Sequence, residues 1–190
     1  MILLIAWKAR RLVIRALLIA GALAAVGHYR EATIGKVSGA SLSVGCHEHH
    51  GLPDPRCTPG AIRVGVSLTR ICAYDYSRSV RPPEGYTEPL KLRQMRAYGL
   101  PGSPREYEED HLIPLSIGGA PRDPANLWPE PRSGSNNAEQ KDQLETWLAR
   151  MACARRIPLA RLQQETARDW IALYRAAGGE PVLRHYPPGG

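Results

Sequence analysis

Phenylalanine is absent from this 190-residue chain, whose aromatic residues are eight tyrosines and four tryptophans. The core must therefore be built mainly from leucine, isoleucine, valine and alanine. The chain also has no internal repeat and no apolar run of the roughly 20 residues that a membrane-spanning helix needs. With 43% hydrophobic and 23% charged residues, the composition argues against wholesale disorder, collagen and coiled coils. The length suits one compact domain rather than a two-domain enzyme.

Acidic residues are absent from residues 1–27, which hold Lys8 and three arginines and so account for four of the seven excess positive charges. The twelve apolar or small residues 16–27 are typical of the core of a secretory signal, and Ala22-Leu23-Ala24 supplies a cleavage site. We therefore predict a signal peptide or an uncleaved N-terminal membrane anchor, and an exported protein, secreted or periplasmic. A plain buried helix is the remaining alternative, which Arg15 disfavours because it interrupts the apolar run.

Four cysteines follow this segment: Cys46, Cys57, Cys72 and Cys153. An even number of cysteines in an exported chain predicts two disulfides, for which three pairings are open. The pairing Cys46–Cys57 with Cys72–Cys153 is favoured, because it closes one short loop and ties the middle of the chain to its last helices. A zinc site is the alternative, built from the first two cysteines and the histidines of the tract 47–50.

Glycine, proline and polar residues dominate the stretch after the leader and show no sustained periodicity. This composition predicts a linker over 28–51 and an irregular, disulfide-pinned entry to a domain over 52–178, followed by a flexible tail over 179–190. Alternating apolar residues predict a short strand over 62–68.

Further along the chain, periodicity and capping residues predict an α+β arrangement. The predicted elements are a helix from Thr87 to Gly99, a hairpin with one strand over 107–115 and a return strand from Asn126, a helix capped by Ser135 or Asn136, and a last helix from Pro158 to Gly178. The two late helices carry apolar stripes that contain Trp147 and Trp170. A hairpin followed by helices is therefore the expected core.

Four polar residues of the hairpin and the helix after it form a set that suits phosphodiester hydrolysis. Such a reaction needs a cation to neutralise the phosphate and a base to deprotonate water. Asp110 offers a hard oxygen ligand, and His111 can accept a proton near neutral pH. Asn126 could hold the imidazole or the turn, and Asn137 could give the cation a second oxygen. This donor set suits Mg²⁺ better than a structural zinc ion.

The order and spacing of the motifs resemble those of the HNH or ββα-metal (His-Me finger) endonuclease superfamily, and most nearly its small exported bacterial members. The motifs are Asp110-His111-Leu-Ile-Pro-Leu, Gly118-Gly119, Asn126-Leu127-Trp128-Pro129 and Asn137-Ala-Glu-Gln-Lys141-Asp142. The core likeness covers residues 107–145, and a looser likeness covers 52–177. In this family the third motif position is often histidine, where this chain has Asn137 with Asn136 beside it.

The resemblance implies a ββα-metal hairpin-plus-helix core with flanking helices and one divalent metal ion, Mg²⁺ or Mn²⁺. It implies that His111 is the general base, that Asn126 is the positioning residue, and that Asp110 and Asn137 are the metal ligands. Lys141 is expected to contact a phosphate, or else to balance the acid one helical turn later. The implied substrate is nucleic acid, specifically DNA, cut to leave a 5′-phosphate.

One geometric condition applies to this site. Asp110 and His111 would point to opposite faces of a regular strand, whereas the mechanism needs both near one phosphate. A bulge or a strand end at this pair is therefore expected. The neighbouring Glu108 and Glu109 are expected to be solvated or to support the ligands. The tryptophans are expected in the core, and the arginine runs 93–96, 150–156 and 161–175 are expected on solvated helix faces.

The sequence thus predicts an exported, metal-dependent DNA endonuclease. No protein partner is implied, and contact with a membrane is expected only through residues 1–27. Two alternatives remain open: a non-catalytic exported protein that binds nucleic acid or an envelope partner on the same scaffold, and a disulfide-stapled structural protein of the cell envelope.

Overall fold

Residues 45–179 of the protein are described by a computed structural model, and all of them belong to one compact unit. The predicted signal or anchor over 1–27, most of the predicted linker and all but the first residue of the predicted tail lie outside the described residues. None of the helices within residues 45–179 is long and apolar enough to cross a bilayer.

The described residues form a mixed fold, which confirms the predicted α+β class. One antiparallel sheet consists of β1 (Tyr107–His111) and β2 (Leu127–Pro131). The helices described over this range are α1 (Leu68–Ile71), α2 (Tyr76–Val80), α3 (Glu84–Tyr98), α4 (Ala138–Cys153) and α5 (Leu159–Ala176). Strands β1 and β2 and helix α4 follow one another along the chain as a hairpin and a helix.

Strand β1 is shorter than predicted, because it ends at His111 instead of continuing to residue 115. Up to that point the register is regular, with Asp110 opposite Trp128 and His111 opposite Leu127. After the Leu112 N–H donates to the Asn126 backbone carbonyl at 2.8 Å, backbone pairing stops, because both the N–H and the carbonyl of Ile113 are hydrogen-bonded to the Asn126 side-chain amide. There is thus no bulge at the Asp-His pair, and the strand ends there.

Helix α4 begins later than predicted, because neither Ser135 nor Asn136 is its cap. Its N-cap is Asn137, whose Oδ1 accepts the Gln140 N–H at 3.1 Å, while the Gln140 side chain accepts the Asn137 N–H at 3.3 Å. The predicted cap, Asn136, instead adopts a left-handed backbone with φ of 57°. The reciprocal bonds satisfy two N–H groups that an uncapped helix leaves unpaired.

The main core lies where the apolar stripes of α4 and α5 meet the hairpin loop, as predicted. Its fully buried members include Leu112, Ile113, Ile117, Leu144, Leu148, Leu162 and Trp170. Trp147 packs against this cluster from a partly buried position, and Trp128 of β2 is also fully buried. Each buried side chain of this size contributes roughly 1.5–3 kcal/mol, so the cluster fixes the hairpin against the helices.

Two disulfides join Cys46 to Cys57 and Cys72 to Cys153, which confirms the favoured pairing. With both sulfurs bonded to each other, Cys46 and Cys57 cannot act as zinc ligands, so the zinc alternative is wrong. The first disulfide also shows that the fold begins before residue 52. The Cys46 N–H donates to the Ala97 carbonyl at 3.1 Å, and the Trp170 indole donates to the Gly51 carbonyl at 3.1 Å.

Two predictions for the first half of the chain were wrong in detail. Residues 62–68 form no strand: Ile62 makes one isolated bridge to Gly119, and Val64 is 89% exposed. The alternation has no partner strand to pair with, so the backbone stays irregular until α1. Helix α3 begins at Glu84, three residues before the predicted cap, with Pro89 inside it, and ends at a left-handed Gly99 as predicted.

Candidate active site

A cleft of about 830 Å³ lies beside the hairpin, and acidic residues form its floor. Glu108 and Asp110 of β1 line it from the sheet, and Asp142 and Glu145 line it from α4. Partial burial, with Asp110 and Glu108 nearby, raises the pKa of Asp142 to about 6, although the outer side of this residue is exposed. Burial raises the pKa of Glu145 to about 7. The floor therefore changes charge within the physiological pH range.

A fully buried lysine neutralises part of this acidic floor. The Nζ atom of Lys141 lies 2.5 Å from Oδ2 of Asp110 and 2.7 Å from Oε1 of Glu145. Burial acts to lower the pKa of Lys141, but the surrounding carboxylates outweigh it and raise the pKa. Burial likewise acts to raise the pKa of Asp110, but Lys141 and the neighbouring hydrogen bonds hold it well below its usual range. The ion pair between Asp110 and Lys141 is therefore formed throughout neutral pH.

A second buried acid, Glu130, lies behind Asp110. The register places it diagonally from Asp110 on the same face of the hairpin, within reach of a long side chain. Burial, together with Asp110, raises the pKa of Glu130 well above its usual value. Both Glu130 oxygens are enclosed without a hydrogen-bond partner among residues 45–179, so this acid is held in its neutral form.

His111 points to the opposite face of β1 from Asp110, as its position in a regular strand requires. The strand end at this pair therefore does not bring the two side chains together: Asp110 lines the cleft, whereas His111 is buried and is not among the lining residues. Its Nε2 atom lies 3.0 Å from the Pro121 carbonyl oxygen. Because a carbonyl only accepts, Nε2 carries the hydrogen and Nδ1 keeps its lone pair. Burial, aided by Lys141 and Arg81, lowers the pKa of His111. The ring is therefore neutral at pH 7 and its Nδ1 is able to accept a proton.

Asn126 holds the loop that carries Pro121, whose carbonyl binds His111. Its Oδ1 accepts the Ile113 N–H at 2.9 Å, and its Nδ2 donates to the carbonyls of Ile113 at 3.0 Å and Ala120 at 3.2 Å. The Ala120 carbonyl directly precedes Pro121, so this amide fixes the backbone oxygen that binds His111. Of the two roles predicted for Asn126, the structure shows that it holds the turn, and its effect on the imidazole is indirect.

Gly119 allows this loop to close. A Cβ atom at this position would lie 1.8 Å from the Ile113 carbonyl oxygen and 2.9 Å from Nδ2 of Asn126. Any side chain would therefore displace the backbone that Asn126 binds. The Gly-Gly motif noted in the sequence is thus explained by close approach at its second glycine.

The other two predicted site residues occupy neighbouring turns of α4. Asn137 uses Oδ1 for the helix cap and donates from Nδ2 to the Gly134 carbonyl at 2.8 Å. Within the described range it makes no hydrogen bond to Asp110. Lys141 was predicted to contact a phosphate or to balance Glu145. The pairing with Glu145 is confirmed, and the phosphate contact does not fit a side chain that is 0% exposed.

Glu109 contradicts the expectation that the acids before Asp110 are solvated. Both of its carboxylate oxygens are enclosed, without a hydrogen-bond partner among residues 45–179. Burial, with Asp110 and Glu88 adding to it against Lys91, raises the pKa of Glu109 to about 9. Glu108 behaves closer to expectation: it lines the cleft and pairs with Arg132 at 2.8 Å. Period-two alternation could have indicated that Glu109 shares the buried face with His111.

A second wall of the cleft was not predicted from the sequence. Tyr74, Arg78 and Arg81 line the cleft there, and all three are exposed. The positive charge of Arg81 acts to lower the pKa of both His111 and Asp142. The arginine runs singled out in the sequence lie elsewhere, apart from Arg150, which also lines the cleft.

Comparisons of the chain with family models, with curated proteins and with solved structures found no match. The functional assignment therefore depends on the chemistry of the cleft and on the order of the sequence motifs.

Proposed function

We propose that the protein is a metal-dependent endonuclease that hydrolyses DNA phosphodiester bonds with His111 as its general base. The observation that carries this proposal is the His111 ring, fixed through Nε2 on the Pro121 carbonyl and next in sequence to Asp110, which lines an acidic cleft. A base needs this combination of a fixed tautomer and a free lone pair.

His111 would take the proton from the attacking water through Nδ1. The imidazolium that forms then keeps its Nε2–H bond to the Pro121 carbonyl, which is strengthened because the donor has become charged. Asn126 and Gly119 contribute by fixing the loop that presents this carbonyl. The ring thus needs no reorientation during proton transfer, which lowers the cost of the step.

The residues of the floor fit a magnesium ion. Mg²⁺ keeps several waters and needs only one or two carboxylate ligands, so it does not require a closed cage of protein ligands. Among residues 45–179 there is no group of three or more His, Cys, Asp or Glu side chains that could form such a cage. Asp110 would hold the ion, and Asn137 would be its second protein ligand only if its Oδ1 left the helix cap, because Asn137 does not line the cleft. When bound, such an ion supplies charge neutralisation on the phosphate and stabilises the leaving oxygen. Lys141 keeps Asp110 ionised in readiness for it.

The test is plasmid cleavage by the full-length protein with Mg²⁺, with Mn²⁺ and with EDTA. We expect nicking that needs the metal and falls about 10²- to 10⁴-fold in His111→Ala, the usual size of a general-base contribution. His49→Ala, at an exposed histidine, serves as the matched control and should cut like wild type. If wild type and His111→Ala are equally inactive with every metal and substrate, the enzymatic proposal is wrong.

A non-catalytic binding protein is the second candidate, and one observation favours it. Oδ2 of Asp110 is already bound by Lys141, and Asn137 is committed to its helix cap. Retention of DNA in EDTA without nicking in any metal would support this alternative. In either case the two disulfides indicate an oxidising environment, and we propose that the protein is exported.

A further inference from the structure

Tyr74, Arg78 and Arg81 form a wall of the same cleft whose floor is acidic. We infer that this wall binds a single, unpaired strand of nucleic acid, with the two guanidinium groups on phosphates and the Tyr74 ring stacked on a base. This inference deepens the proposed endonuclease function and rests on it, because it names the form of the substrate and the residues that hold it.

The two arginines are suited to phosphates because no carboxylate holds them. Neither Arg78 nor Arg81 forms an ion pair within residues 45–179, although acids line the same cleft; the acid on their own wall, Asp75, is paired with Arg70 at 3.2 Å. A guanidinium group presents donors in a planar fork that matches a phosphate. Arg81 lines the same cleft as Asp110, so its guanidinium group would hold a phosphate beside the acidic floor.

Tyr74 indicates that the strand is unpaired. Its side chain is 85% exposed, whereas most large apolar side chains among residues 45–179 are buried, and Tyr74 is one of the residues that line the cleft. An exposed ring in a basic groove is a stacking platform for nucleic-acid bases. In a duplex the bases are already stacked on one another, so a ring at the rim of the cleft can reach only a base that has left the stack.

The wall is held rigidly, which reduces the entropy lost on binding. Tyr76, between Tyr74 and Arg78, is 0% exposed and anchors the segment in the interior. Cys72 of the disulfide to Cys153 precedes it and also lines the cleft, so the wall is covalently tied to the end of α4. The exposed side chains therefore project from a fixed backbone.

Fluorescence anisotropy with the full-length His111→Ala protein tests this inference without cleavage. The probes are a labelled oligothymidine strand and a hairpin duplex of the same length, each in EDTA and again with Ca²⁺, which neutralises the floor. We expect the single strand to bind more tightly than the duplex. Tyr74→Ala and Arg81→Ala should each weaken binding of the strand roughly tenfold, whereas Tyr74→Phe should bind normally because it keeps the ring.

The salt dependence gives a second measurement that does not depend on absolute affinity. Loss of one phosphate contact should reduce the slope of log Kd against log salt by about 0.7 for a single strand. Arg78→Ala and Arg81→Ala should each show this reduction, and Arg96→Ala, at an exposed position on α3, should not. All these positions are on the surface, so the variants should melt like the parent.

The inference is overturned if no strand binds in either condition, if the duplex binds as tightly as the strand, or if the wall variants match Arg96→Ala. Its failure is distinguishable from failure of the proposed function. Metal-dependent nicking with unaltered binding by the wall variants would remove only the inference. Strand binding that depends on Tyr74 and Arg81, without cleavage of either plasmid or single strand by the wild type in any metal, would remove only the hydrolytic function.

Discussion

Glu109 and Asp110 are adjacent acids on one short strand, yet the fold treats them in opposite ways. Asp110 faces the cleft side of the hairpin, where the Lys141 ammonium lies 2.5 Å from its carboxylate. Glu109 faces the other side, where its two oxygens are enclosed without a partner among the described residues. The pKa of Asp110 is held well below its usual range, and that of Glu109 is raised to about 9.

The contrast teaches that burial alone does not decide the charge of a carboxyl group. Desolvation is the largest influence on both acids and acts to raise both pKa values. What differs is a cation in direct contact: Asp110 has one and stays ionised, whereas Glu109 lacks one and takes up a proton. Alternation along the strand thus places a charged carboxylate on one face and a neutral acid on the other.

Removing the cation should have the largest effect on this contrast. Lys141→Met leaves Asp110 and Glu145 buried without a counter-charge, so we expect a loss of about 3–5 kcal/mol in the free energy of unfolding. Urea denaturation at pH 7 measures the loss. The matched control is the double variant Asp110→Asn with Lys141→Met, which should recover much of it because no buried charge remains on the strand. A single Lys141→Met variant as stable as wild type would show that the pair is not buried as described.

Neutralising Glu109 should have the opposite sign and a smaller size. A group whose folded pKa is raised stabilises fully below its unfolded pKa, and this stability is lost as the pH rises towards the folded pKa of about 9. Glu109→Gln should therefore be more stable than wild type at pH 8, by roughly 1–3 kcal/mol, and nearly equal to it at pH 5. Thermal unfolding at the two pH values measures this. Glu108→Gln, in a half-buried surface ion pair, is the control, and equal gains for both variants would contradict the prediction.

The smallest expected effect concerns the pH dependence of cleavage. His111 must be unprotonated to act as a base, and its pKa is lowered by burial, by Lys141 and by Arg81. Activity should therefore rise with pH to a plateau, and the midpoint of the rise should lie below the ordinary histidine pKa of about 6.5. Arg81→Ala should move this midpoint upward by a fraction of a unit, and Arg78→Ala should leave it in place. A wild-type midpoint above about 6.5 would exclude His111 as the group observed.

The parts of the fold that the sequence predicted correctly depend on local periodicity. The stripes that contain Leu144, Leu148 and Trp170 are read along one helix at a time, and the hairpin was indicated by turn residues between two apolar segments. The Lys141–Asp110 pair was not predictable in this way, because 31 residues separate its partners. Helical spacing indicates only the nearer partner, Glu145.

Prediction was also limited where a local pattern forms its structure only beside another segment of the chain, because the pattern does not show which segment that is. The alternation over 62–68 is a strand pattern, but no strand lies beside it, and Val64 faces solvent. Asn137 shows a further limit: one amide at the start of a helix serves equally as a cap and as an oxygen ligand, and only the hydrogen bonds show that it caps α4. The role of Asn126 in holding the turn was predictable, because a side-chain amide can bind both the N–H and the carbonyl of one backbone residue.

The disulfide between Cys72 and Cys153 determines when the cleft can be completed during synthesis of the chain. Its two cysteines are 81 positions apart, so the bond cannot form until the last turn of α4 has been made, and it cannot persist in a reducing compartment. The wall that carries Tyr74 and Arg81 therefore becomes covalently joined to α4 only after α4 has been synthesised. A newly made chain has its histidine and its acids before it has this covalent tie across the cleft.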